Sequence, residues 1–176
     1  MSMTKTIKLS KQSYQPVTPI DGVKIVPLNT FQDDGGYFLE VVRFKDHILE
    51  QFPDFELKQL NISGMDPGVI KAWHIHQQQD DIWFVPPSQR LLIAMHDIRK
   101  QSPTKDATMR LVCGAGKAQL VFIPRGVAHG AANLWRKPAL IVYLVNSHFT
   151  ADPVASAEYR LPWDQFGADI WQQTKG

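Results

Sequence analysis

The chain has 176 residues, 44% of them hydrophobic and 20% charged, with a formal net charge of +2. This composition fits one globular domain over residues 1–176 with a sizeable core. It excludes a disordered chain and, without a basic block, gives no ground for nucleic-acid binding. The lone cysteine, Cys113, excludes an intrachain disulfide and reads as a small strand residue in a protein of a reducing compartment. Neither a signal-peptide core nor an apolar run of bilayer length is visible, so the expected location is the cytoplasm, with no membrane partner.

Residues 1–20 read as an N-terminal arm, in which Ile7 and Leu9 suit a strand added to a partner's sheet edge. Residues 23–28 alternate and predict a strand. Residues 31–36 are a turn by composition, and residues 37–44 predict a second strand, rich in aromatic and β-branched side chains. Residues 45–54 predict a short helix stopped at Pro53. Residues 55–63 alternate cleanly: Phe55, Leu57, Gln59, Asn61 and Ser63 share one face, with Glu56, Lys58, Leu60 and Ile62 on the other. The first face ends in three neutral hydrogen-bonding groups, which suits the wall of a wet cavity. Further strands are expected over 69–76, 82–85, 90–99, 107–112, 118–123 and 140–146, with a turn around Ser102–Pro103. The pattern breaks at Thr150, and a short helical tail carries Trp163, Asp164 and Trp171. Many short strands with frequent turn signals predict an all-β antiparallel sandwich or barrel.

Two segments carry chemistry. His74 and His76 stand at i and i+2 in a predicted strand, so both imidazoles point to one face. Residues 124–133 contain Pro124, Gly126, His129 and Asn133. Side by side in one barrel, these segments would bring three histidines and a carboxylate together.

Gly68, His74, His76 and Asp80, followed by Pro124, Gly126, His129 and Asn133, resemble the paired motif of the cupin superfamily, which are jelly-roll barrels. Asp80 or Asp81 stands where cupins usually carry glutamate. A narrower resemblance covers nearly the whole chain. Residues 31–40 (FQDDGGYFLE), 59–63 (QLNIS), 68–74 (GVIKAWH), 96–104 and 123–130 (IPRGVAHG) are similar, in order and spacing, to segments of the dTDP-4-dehydrorhamnose 3,5-epimerase family. The resemblance implies a cupin jelly roll, a homodimer and an isomerase acting on a dTDP-linked 4-keto-6-deoxy sugar in polysaccharide biosynthesis. It implies proton abstraction at carbon 3 or 5, next to the ketone, and return of a proton on the opposite face. In that scheme His74 is the base, Asp164 orients its ring, and Tyr143 is the acid. Glu40, Gln59, Asn61, Lys71 and His129 shape the substrate site, and no metal or other cofactor is needed.

Three positions depart from the family pattern. The lysine expected after the histidine is missing from residues 77–83, the arginine of the first turn is Gly35, and the arginine before the histidine is Lys71. Lysine keeps the charge but not the bidentate grip. Two alternatives therefore stay open. One is a metal-dependent cupin, a dioxygenase or isomerase, liganded by His74, His76, Asp80 or Asp81, and His129. The other is a non-catalytic nucleotide-sugar binder. His47, His96 and His148 read as structural or exposed, and Trp83, Phe84 and Trp135 as core or dimer contacts.

Overall fold

The computed structural model describes residues 20–152 and 157–173. The expected N-terminal arm lies outside the described residues. In chain order the strands are β1 (Lys24–Pro27), β2 (Thr30–Asp33), β3 (Gly36–Leu39), β4 (Phe44–Lys45), β5 (Ile48–Leu49), β6 (Gln59–Met65) and β7 (Ile70–His76). They continue as β8 (Asp81–Phe84), β9 (Arg90–Asp97), β10 (Thr108–Gly114), β11 (Gln119–Ile123), β12 (Val127–Ala132), β13 (Ala139–Val145) and β14 (Glu158–Arg160). Two five-stranded antiparallel sheets hold most of them: β1-β11-β8-β13-β6 and β10-β9-β12-β7-β14. The antiparallel all-β expectation agrees with this. Among the described residues no helix is long and apolar enough to cross a membrane.

Three apolar layers follow from the alternation of side chains. Between the sheets lie Leu91, Ile93, Met95 and Val127 of one sheet with Val121, Ile123 and Ile141 of the other. Residues 49–57 cover the outer face of the first sheet, where Leu49, Phe52 and Phe55 meet Ile82, Phe84 and Leu120. The C-terminal segment covers the outer face of the second, where Trp171 packs on Trp73 at 4.8 Å between ring centroids. Both indole N–H groups donate to one carbonyl, that of Trp163, at 3.0 Å from Trp73 and 2.7 Å from Trp171. This tail is a single 3-10 turn, Ala168–Trp171, and not the helical tail expected from the sequence.

The helix expected over 45–54 is instead a hairpin of β4 and β5. Asp46 and His47 both take positive φ, 51° and 66°, the conformation that a two-residue hairpin turn requires. The strand expected over 37–44 ends at Leu39. The strand expected from Phe55 starts at Gln59, with Phe55 buried in the cover of the first sheet.

Candidate active site

One cavity of about 270 Å³ opens between the sheets. Asn61 and Ser63 of β6 and Tyr143 of β13 line it from one sheet, and Lys71, His74, His76 and His129 from the other. The polar face read in residues 59–63 does turn inward at Asn61 and Ser63, while Leu60 and Ile62 point outward.

Strand parity alone would put Lys71 and His74 on opposite faces. A β-bulge corrects this: His129 pairs with His74 but Ala131 with Lys71, so β7 spends one residue more than β12. Gly130 faces this bulge. A Cβ there would sit 2.5 Å from the Ala72 Cβ, so the two strands approach closely only because the position is glycine. Lys71 crosses to β6, donating to Ser63 Oγ at 2.9 Å and to the Gly64 carbonyl at 2.7 Å.

His74 Nδ1 lies 2.8 Å from Glu158 Oε1. The hydrogen bond with His74 is the main reason that the Glu158 carboxyl is pushed down to about 2, against burial, so it is ionised and can only accept. The proton of the bond therefore sits on Nδ1, and Nε2 is the ring's basic nitrogen. Glu158 reaches this position because β14 pairs with β7, Glu158 opposite His76 and Arg160 opposite His74.

On the facing sheet, burial and then the charges of Asp81 and Glu158 raise the pKa of the Tyr143 phenol, which keeps it protonated. The cavity thus holds a basic nitrogen on one wall and a phenolic proton on the other.

Deeper in, His129 is 3% exposed and Asp81 2%. The Val127 carbonyl accepts the His129 Nδ1–H at 3.0 Å, so Nε2 faces Asp81 Oδ2 at 3.5 Å. His76 Nε2 lies 3.9 Å from the same oxygen, and the Trp83 indole N–H donates to it at 3.0 Å. Gln79 Nε2 donates to Asp81 Oδ1 at 2.7 Å. Burial alone would raise the Asp81 pKa, but the hydrogen bond and charge of His129, with His76 and Gln79, hold it below the ordinary range. Burial also pushes His76 down. The ligand atoms of His76, Asp81 and His129 lie within 4.8 Å of one another, a donor set that suits a divalent metal. Both Asp81 oxygens are already satisfied by protein donors, so the cluster is also complete without one.

The remaining sequence-predicted residues fall elsewhere. Gln59 donates to Asn61 Oδ1 at 2.5 Å and accepts from the Phe149 N–H, so it holds two residues of the cavity lining without lining it itself. Glu40 pairs with Arg43 at 2.8 Å outside the cavity. Asp80 is clamped by Arg125 at 2.6 Å and by Asn146 at 2.9 Å, so it is a structural tie. Asp164 is exposed in the turn 163–166, and Glu158 takes the place beside His74 that the sequence reading gave to Asp164. Glu158 escaped that reading because β14 is three residues long and follows a run of sequence, from Thr150 on, without strand alternation. The one signal was the alternation of Glu158 and Arg160, two charges two apart and hence on one strand face.

The family described as dTDP-4-dehydrorhamnose 3,5-epimerase matches residues 17–171 of this chain. The spore coat polysaccharide biosynthesis protein SpsL of Bacillus subtilis (strain 168) is 39% identical over 145 residues, which is 82% of this chain and 91% of SpsL. The probable low-salt glycan biosynthesis epimerase Agl13 of Haloferax volcanii is 30% identical over 146 residues, 82% of this chain and 89% of Agl13. Among solved structures, dTDP-6-deoxy-D-glucose-3,5-epimerase RmlC from Legionella pneumophila Philadelphia 1, in complex with dTDP-4-keto-L-rhamnose, superposes with a TM-score of 0.69 at 25% identity. That match covers 83% of this chain and 76% of the other. The two sheets are thus a cupin-type β fold.

Proposed function

Because this chain belongs to the dTDP-4-dehydrorhamnose 3,5-epimerase family, an isomerase-class family, we propose that it inverts carbon 3, carbon 5 or both of a dTDP-linked 4-keto-6-deoxy sugar. The proposal extends to a role in polysaccharide or glycan biosynthesis, after the names of SpsL and Agl13.

The observation that carries it is the His74–Glu158 pair on one wall with protonated Tyr143 on the other. His74 Nε2 removes the proton next to the ketone. The ring becomes an imidazolium, which Glu158 holds in place through Nδ1. Electrons of the broken C–H bond move onto the ketone oxygen as an enolate. Tyr143 then returns a proton from the opposite face, and the centre is inverted. We assign the ring-orienting role to Glu158 and not to Asp164. Asn61, Lys71 and His129 contact the sugar; Gln59 acts through Asn61, and Glu40 from outside the cavity. Leu60 and Ile62, exposed on the outer face of edge strand β6, support a dimer.

The test separates removal of the proton from its return. In heavy water, Tyr143→Phe retains exchange at the attacked carbon, with the proton lost to His74 and a solvent deuteron returned from the same face, but forms little inverted product. Loss of exchange and inversion to the same degree would count against Tyr143 as the opposite-face acid.

The convergence of His76, Asp81 and His129 favours one second reading, a metal-bound cupin. There those three residues would be ligands and the ion would supply a Lewis acid at the ketone. Stoichiometric metal in the purified protein, with activity lost on chelation, would select it.

A further inference from the structure

One oxygen of the cavity wall is shared. Glu158 Oε1 accepts from His74 Nδ1 at 2.8 Å, and Arg160 reaches the same atom, Nε at 3.0 Å and Nη2 at 2.8 Å. The register of β14 explains the crowding, since Glu158 and Arg160 stand two apart on the strand that pairs with β7. The two donors differ in depth. The His74 side chain is 21% exposed, whereas that of Arg160, which also lines the cavity, is 67% exposed and stands at its mouth.

A substrate whose sugar reaches His74 and Tyr143 must leave its anionic diphosphate toward the mouth. Lys71, the other full cation among the described residues of the wall, is also exposed, but its ammonium is already engaged by Ser63 Oγ and the Gly64 carbonyl. A guanidinium offers planar, paired donors that match phosphate, and an exposed pair with a carboxylate contributes little to stability, so the partner is easily exchanged.

We propose that Arg160 binds the diphosphate of the nucleotide-sugar substrate by exchanging Glu158 for it. This rests on the nucleotide-sugar reading of the same cavity. Arg160 then serves two ends: it anchors the substrate's charged group, and on leaving Glu158 it ends its competition with the His74 ring for that carboxylate oxygen. Occupancy of the diphosphate site thereby settles the geometry of the base. The nucleoside diphosphate, and not the sugar alone, is the unit recognised.

Calorimetric titration of the full chain with dTDP, in phosphate-free buffer, tests this without requiring turnover. Arg160→Ala is expected to weaken dTDP by about tenfold, the loss of one charge-assisted contact, and Arg160→Lys by less. Glu158→Gln removes the carboxylate that competes with the diphosphate for Arg160. It is expected to tighten dTDP in the wild-type background, and by clearly less in the Arg160→Ala background, where only the field of the carboxylate is removed. Thermal melts check that the Arg160 variants fold. Unchanged dTDP affinity in Arg160→Ala overturns the proposal alone. Equal tightening by Glu158→Gln in both backgrounds overturns the exchange. A wild-type chain that does not bind dTDP overturns the nucleotide-sugar reading and this inference with it.

Discussion

Replacing Glu158 with glutamine keeps the shape of the group beside His74 and removes its charge. The glutamine oxygen still accepts from Nδ1, 2.8 Å away in the native pair, but it no longer favours the imidazolium that forms when His74 takes a proton. Hydrogen bonds to charged groups contribute about 1.5–3 kcal/mol, against about 1 for neutral ones. A difference of about 1.4 kcal/mol is a factor of ten in rate. The difference of about 0.5–2 kcal/mol means that the kcat of Glu158→Gln is expected to fall by roughly 2- to 30-fold. KM for the dTDP-sugar is expected to hold or drop, because Arg160 is released to the diphosphate. Asp164→Asn, an exposed turn substitution, is expected to stay within about twofold of wild type. The assay is inversion of dTDP-4-keto-6-deoxyglucose followed by proton NMR. Wild-type kcat in Glu158→Gln, or a fall in Asp164→Asn to match it, would refute the reasoning and return the orienting role to Asp164.

Gly130→Ala drives a methyl into Ala72 at the bulge, and an overpacked core site typically costs ~1–3 kcal/mol. Relief by sliding β7 would move Lys71 and His74, so a lower urea midpoint should come with lost activity. Trp171→Ala opens the cover of the second sheet, where the indole is 2% exposed. The expected loss is ~3–5 kcal/mol, or a Tm lower by roughly 10 °C, read by calorimetry. The Glu158 carboxyl has its folded pKa depressed from 4.5 to about 2, so the stability it contributes is present above 4.5 and is lost as pH falls through about 2. Urea midpoints of wild type and Glu158→Gln should therefore differ at neutral pH and converge as the pH falls toward about 2.

Much of the fold was legible because strand alternation is a local signal. The inward turn of Asn61 and Ser63 follows from their spacing alone, as does the pairing of the two histidine segments once they share a sheet. Local signals fail where tertiary structure overrides them. Nothing in the sequence near Ala72 announces the bulge that brings Lys71 and His74 to one face; it depends on Gly130 of another strand. Residues 45–54 contain good helix formers, yet Phe44 and Leu49 pair in a hairpin, and Leu49 is buried against the first sheet. Glu158 was missed for the same reason. Its role comes from pairing with β7 across 84 positions of sequence, not from any motif around it. Asp81 is also a tertiary result: two adjacent aspartates look alike in sequence. One is tied by Arg125 and Asn146, and the other is enclosed by Trp83, Gln79 and His129.

The central claim is that His74 removes a proton next to the substrate's ketone. Proton NMR of dTDP-4-keto-6-deoxyglucose in heavy water, with chelator-treated wild type and His74→Ala side by side, tests it most directly. The account predicts loss of the carbon 3 or carbon 5 signal with wild type and its persistence with His74→Ala. Persistence of both signals with wild type, or equal loss with the variant, would contradict it.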